Sequence, residues 1–326
     1  MSTLSHSYTE LEMFSKNKSG ATEFVIWGLS DNPSLQPVLL LIFLLLYIIT
    51  VSGNIVIITL IFCDVHLKKP MYHFLCNMSF LDFSYSTVTA PYMLYVLMTG
   101  HKNLSINRCM TQLYFFNSFA SVEYLLLTTM AFDRYIAICK PFLYMQVMNK
   151  RACFWLSVIA WILGFMAALP VTILSSALTF CASNVINHFF CDVTPLLKLS
   201  CDDIAAIEMT MFTEGVVLLF SCFFLTVMSY VYIISAILKI QSTEGRHKAF
   251  STCASHLTVV ILFYILVVCV YMKPTSSYSL DVGKIVSVLY VNVIPMLNPF
   301  IYSLRNKEVK DAIMKVYKDH FRQNML

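Results

Sequence analysis

The sequence predicts an all-α integral membrane protein, a seven-transmembrane helix bundle with its N-terminus outside. Three observations carry this. Of 326 residues, 58% are hydrophobic and only 12% are charged, against about 25% charged in soluble domains. Seven apolar stretches recur along the chain, each long enough to cross a bilayer. Basic residues gather in alternate connections between those stretches. Length alone suggests two soluble domains, but a mean hydropathy of +0.73 overrides it. A net charge of +4 with no basic run argues against a nucleic-acid partner.

The elements follow in order. Residues 1–24 are polar and are expected to form an unstructured extracellular tail. Asn17-Lys18-Ser19 is a glycosylation sequon, meaningful only outside the cell. Residues 1–20 hold no apolar core, so no cleavable signal peptide is expected, and the first span serves as the targeting signal. The membrane domain covers 25–303, with spans near 37–63, 70–98, 109–138, 152–178, 207–239, 250–272 and 284–303. The connections are short, and the longest is 179–206. The cytoplasmic tail, 304–326, places Val309, Ala312, Ile313, Val316, Tyr317 and Phe321 at helical spacing among lysines. That is a short basic amphipathic helix after the seventh span, suited to an anionic inner leaflet.

Placing the N-terminus outside leaves most of the 22 Lys and Arg on the cytoplasmic side, among them Lys68, Lys69, Arg134, Lys140, Lys150 and Arg151. Of 11 cysteines, Cys109, Cys181, Cys191 and Cys201 then fall outside. An even outer set suits an oxidising compartment. Four cysteines allow three pairings, and the sequence does not choose among them.

Three acids lie inside spans: Asp82, Glu123 and Glu214. No Lys or Arg stands at matching depth, and intramembrane acids are functional by default. Asp82 and Glu123 could share a cation, accept hydrogen bonds from Ser79, Asn54 or Asn298, or be protonated by desolvation. The alternative is a polar knot that fixes helix packing. A sodium ion near Asp82 and Glu123 is the one cofactor the pattern admits. Glu214 faces either a cavity or a neighbouring helix. Pro295 and Asn298-Pro299 interrupt the seventh span, as a passive kink or as a hinge above Tyr302. Asp133, Arg134 and Tyr135 stand together where the third span leaves the membrane, an expensive place for an unpaired charge.

Leu113, Phe116, Asn117, Ala120, Ser121 and Tyr124 share one face of the third span. Tyr264, Val267 and Tyr271 share one face of the sixth. Such stripes are more often packing, but these mix apolar walls with hydroxyls and an amide, as a small-molecule pocket requires. His188, Cys191 and Asp192 have the chemistry of a soft-metal site, which a disulfide at Cys191 would abolish. No hydrolase arrangement and no glycine-rich phosphate loop is present, so no enzyme is expected.

MAFDRYIAICKPFLY at 130–144, KAFSTCASHLTVV at 248–260, PMLNPFIYSLRNKEVK at 295–310 and HFFCDVTPLLKLSC at 188–201 together resemble an olfactory receptor. That family consists of rhodopsin-like G-protein-coupled receptors, and the short loops and KAFSTCASHL resemble its tetrapod-type class. Gly53-Asn54, His66, Pro70-Met71-Tyr72 and Asp82 add to the match, which covers nearly the whole chain. The resemblance implies a plasma-membrane receptor for a small, mostly apolar, volatile odorant. It implies activation of a stimulatory heterotrimeric G protein that raises cyclic AMP. It pairs Cys109 with Cys191 and Cys181 with Cys201. It places the ligand among Phe116, Asn117, Ala120, Ser121, Glu214, Leu218, Tyr264, Val267, Tyr271 and Val291. It makes Arg134 a latch that Asp133 holds at rest, with Tyr135 beside it and Asn298, Pro299 and Tyr302 as the switch in the seventh span.

The chain departs from the family at Phe132, where tyrosine is usual, and at Lys140, where histidine is frequent. Phe263-Tyr264 occupies the region of the tryptophan switch of other rhodopsin-like receptors. Phe116 stands where amine receptors carry an aspartate, and Glu214 keeps a cationic or hydrogen-bond-donating ligand in view. Two other readings compete: the same receptor type in a non-olfactory chemosensory role, and a transporter or channel. Transporters often show paired repeats with broken helices in corresponding halves, whereas here only the seventh span is strongly interrupted and neither half repeats the other.

Overall fold

The computed structural model describes residues 23–30, 32–181, 183–271, 280–305 and 308–315. Strand β1 (Glu23–Ile26) precedes α1 (Gln36–Cys63). Then come α2 (Pro70–Thr99), β2 (Asn103–Ser105), α3 (Ile106–Cys139), the short α4 (Tyr144–Val147) and α5 (Lys150–Ser176). Strand β3 (Val185–Ile186) and the short α6 (Val193–Leu197) make up the long connection. α7 (Ala205–Glu214) runs through a π turn, Gly215–Phe220, into α8 (Ser221–Leu238). α9 (Thr243–Tyr271) follows. α10 (Leu280–Val288) passes through a second π turn, Leu289–Val293, into α11 (Ile294–Arg305). Residues 308–315 are helical.

Local chemistry explains the ends. Pro37 and Pro70 sit in the first turns of α1 and α2, where a missing N–H costs nothing. α2 stops at Gly100, whose φ of 72° few other residues tolerate and whose N–H reaches Val96 O at 2.9 Å. Asn149 caps α5 by accepting from Ala152 N at 3.0 Å. α9 begins seven residues before the expected 250, because Thr243–Lys248 is polar and hydropathy reads it as loop although it continues the helix.

Among the described residues, four helical stretches are long and apolar enough to cross a membrane: Gln36–Cys63, Lys150–Ser176, Ala205–Leu238 and Gly283–Ile301. α2 and α3 are equally long but spend more positions on polar side chains, because they pack on several sides and carry Asp82, Gln112 and Glu123 inward. α1, α5 and α8 instead turn large apolar side chains outward, as Leu41, Leu45, Ile48, Trp155, Ile162, Phe224 and Leu225 do. Such a continuous apolar exterior marks a membrane protein.

The all-α expectation omits one feature. β1, β2 and β3 form a three-stranded sheet in the order β2-β1-β3, antiparallel at Glu23↔Ser105 and parallel at Val25↔Val185. Residues 23 and 24, expected in the tail, belong to it. Phe24, Ile26, Leu104, Ile186, Val193 and Leu196 pack beneath it as a separate core. Strands of two to four residues are too short for sequence to announce.

Candidate functional site

Towards its disulfide-bearing end the bundle is closed by rings. Phe116 on α3 is fully buried and lies 4.6 Å from Phe190, 5.0 Å from Tyr85 and 6.1 Å from Tyr290, centroid to centroid. Ser121, one turn and a half below Phe116, donates to Glu214 Oε1 at 3.3 Å, so α3 and the end of α7 share one polar point. Glu214 immediately precedes the π turn Gly215–Phe220. The wider turn re-aims the residues on either side of it. No proline announces it. Tyr264 on α9 is buried against Phe223 at 5.1 Å, with its hydroxyl turned towards Thr128 and Thr226. Ala120, Asn117 and Leu218 are half-buried, and Val291 is buried on α10's continuation. Glu214 therefore meets a neighbouring helix through Ser121. Asn17 and the side chains of Val267, Tyr271 and Tyr302 lie outside the described residues.

The polar centre is divided. Asn298 Nδ2 donates to both oxygens of Asp82, at 3.1 and 2.9 Å. Asn54 joins neither. Its Nδ2 donates to Thr50 O at 2.9 Å and to Pro295 O at 3.2 Å. Pro299 lacks the N–H that would bond that carbonyl four residues back, so Asn54 supplies the missing donor from α1. Gly53 lets Pro299 approach: a Cβ there would lie 3.3 Å from Pro299 Cβ and Cγ. Glu123 is buried within electrostatic reach of Asp82.

At the opposite end of α3, Asp133 and Arg134 are both buried. Their expected pairing is loose, with Arg134 Nε 4.0 Å from Asp133 Oδ2 and making no hydrogen bond. Asp133 is held instead by the Tyr144 hydroxyl at 2.9 Å. α8 and α9 close over this end, with Tyr230 Oη 2.7 Å from His256 Nδ1 and an apolar cluster of Ala131, Tyr230, Ile233, Ile237 and Cys253. Tyr135 packs on Tyr232, and Lys140 Nζ lies 5.9 Å over its ring. Phe142 is 98% exposed just beyond.

Sequence reasoning missed four residues here. Tyr144 lies outside every span, and only its place in the quoted motif could have flagged it. Tyr230 and His256 were legible as an intramembrane histidine, an ionisable group as unusual as the acids. Gln112 was legible as an amide among apolar neighbours. Its Nε2 donates to Val88 O at 2.8 Å and its Oε1 accepts from Cys191 N at 2.9 Å.

Cys109 is disulfide-bonded to Cys191 and Cys181 to Cys201, with Cα–Cα distances of 5.4 and 5.9 Å. The bond at Cys191 rules out the His188–Cys191–Asp192 metal set. His188 and Asp192 are buried in the loop all the same. Burial and the Lys284 charge pull the His188 imidazole down to about 3. Burial pushes the Asp192 carboxyl up to about 6, against the Val193 N–H that it accepts. Lys284 is itself buried.

This arrangement, a buried acid–arginine pair at one end of α3 and a ring-lined polar point towards the other, agrees with what the comparisons find. The olfactory receptor family model matches residues 43–320, and the chain belongs to that family. These are membrane receptors and not enzymes. Olfactory receptor 5AP2 of Mus musculus is 49% identical over 94% of this chain and 96% of its own length. Olfactory receptor 5AR1 of Mus musculus is 47% identical over 93% and 98%. The olfactory receptor-like protein OLF1 of Canis lupus familiaris is 46% identical over 93% and 97%.

Proposed function

We propose that the chain is a seven-span odorant receptor of the plasma membrane, with its N-terminus outside. A small, mostly apolar volatile binds in the outer half of the bundle, and a stimulatory heterotrimeric G protein is activated inside, raising cyclic AMP. The observation that carries this is α3, one rigid helix with Phe116 and Ser121 in its outer half and Asp133–Arg134 at its cytoplasmic end. A ligand that displaces Ser121 from Glu214, or bonds the Tyr264 hydroxyl, favours a different packing of α7, α8 and α9 against α3. Such differential contact is what shifts a two-state equilibrium. Parting α8 and α9 exposes Arg134 to the partner, and Phe142 supplies an exposed apolar anchor beside it.

A sodium ion between Asp82 and Glu123 belongs to the same reading. Two buried carboxylates without a basic partner favour a cation, and the Asn298 Oδ1 atom, buried without a hydrogen bond, offers a further ligand.

The test is a cell line with a cyclic AMP reporter, verified surface expression and a broad odorant panel. A response to at least one volatile is expected, and silence across the panel counts against the reading. In that assay Glu214→Gln should shift ligand potency about tenfold, the worth of one charge-assisted hydrogen bond, with basal signal unchanged. An unmoved dose–response curve would assign Glu214 to packing.

A further inference from the structure

We infer that the cleft between the outer ends of α2 and α3 is a binding site for an anionic phospholipid. Its phosphate sits on Arg108 and its chain lies along Val88, Tyr92 and Phe115. The inference rests on the membrane-spanning reading above and adds a ligand to it.

The cleft holds about 390 Å³ and shares no residue with the odorant pocket. That is within the range of small-ligand sites and far above the space of a water molecule. Its wall is apolar. Val88 and Phe115 contribute side chains without polar atoms. The Tyr92 hydroxyl already donates to Lys102 O at 3.2 Å and Asn103 O at 3.1 Å, so only its ring faces the cleft's chemistry.

The rim carries one cation, Arg108, while the nearby Glu23 carboxylate accepts from Asn103 Nδ2 at 3.1 Å. Arg108 is exposed and makes no ion pair or hydrogen bond among the described residues. A guanidinium presents a planar fork of donors that matches phosphate oxygens two at a time. The start of α3 adds to this: Ser105 makes no side-chain cap and the first turn holds no acid, so its positive dipole end is uncompensated.

Placement selects a lipid over a dissolved anion. Tyr92 and the exposed Tyr95 lie 6.3 Å apart at this end of α2, as interfacial aromatics do. A site with one cation at its rim and apolar walls below it is shaped for a headgroup and the first part of a chain. The floor is Gln112, which ties α2 to α3 and to the disulfide loop at Cys191. An occupant here leans on the residue that positions the roof of the odorant pocket.

The test uses the full-length receptor in nanodiscs of equal phosphatidylcholine and phosphatidylglycerol, with bound lipids counted by native mass spectrometry. Both leaflets then carry the same lipid, so the count depends on neither orientation nor odorant response. Wild type should retain phosphatidylglycerol about tenfold over phosphatidylcholine, the contribution of one charge-assisted contact. Arg108→Gln should bring the ratio near parity. Thr111→Trp keeps the cation but fills the cleft, and should do the same. If Arg108→Gln fails to fold, Arg108→Lys serves: it keeps the charge, loses the fork and should fall between the two. An unchanged ratio in the Arg108 variant overturns the site. Retention by Thr111→Trp overturns it too, by showing bulk surface charge. Glycerol phosphate, the headgroup without chains, should not compete; equal competition would make this a free-anion site and sink the lipid assignment.

Discussion

The buried loop acids and bases set a pH dependence at single residues. His188 is neutral in the fold, since its pKa falls from an ordinary 6.5 to about 3. Its share of stability is complete above pH 6.5 and is lost as pH falls towards 3. Asp192 is raised from 3.8 to about 6, so its folded form binds the proton more tightly. Its share is complete below about 3.8 and is lost as pH rises through 6. Between pH 6.5 and 4 the two oppose each other. Asp192→Asn removes the offset, so its thermal midpoint in detergent should drop more between pH 7 and pH 5 than wild type's. An equal drop would mean that Asp192 is not the compensating group. Asn54 is a second case. Asn54→Ala leaves the Pro295 carbonyl without its donor and should cost roughly 1–3 kcal/mol, read as a lower unfolding midpoint. Sequence marked Asn54 as polar and intramembrane. It could not show that Pro299, more than 240 positions on, creates the need it meets.

At the scale of elements, the contact of α3 with α5 depends on an absent side chain. A Cβ at Gly164 would sit 2.8 Å from Val122 N and 3.1 Å from Ser118 O, both backbone atoms of α3. Gly164→Ala must push the helices apart and should cost roughly 1–3 kcal/mol, as overpacking does. Gly215→Ala is the control. Nothing lies within 4 Å of its Cβ and its φ is helical at −58°, so surface expression should hold there and fall for Gly164→Ala. The helix limits were legible because hydropathy, proline and glycine act locally. The two π turns were not. Gly215–Phe220 contains no proline, and a lone glycine does not specify a π turn; its extra residue is set by how α7 packs on α5 and α8 on α3.

At the scale of the whole molecule, α3 joins the Ser121–Glu214 contact to the buried Asp133–Arg134 pair, which the proposed function makes its cytoplasmic switch. Arg134→Ala should abolish cyclic AMP production while ligand binding, measured directly, survives. Loss of both would make Arg134 structural. Tyr144→Phe removes the hydroxyl that holds Asp133 and should raise basal signalling at equal surface expression; a fall would reverse that role. By itself the sequence determined a membrane protein of long apolar helices, the acids buried within them, and membership of a receptor family through its motifs. Those follow from composition, periodicity and short contiguous runs, which any stretch of chain carries on its own. Only the tertiary structure decided which groups meet: Asn298 with Asp82, Asn54 with a carbonyl on α11, Ser121 with Glu214, Tyr144 with Asp133 ahead of Arg134. Each is a choice among several partners of equal chemistry at similar depth, and depth is all that hydropathy encodes. The rotation of one helix against another makes the choice, and it arises from packing summed over the bundle.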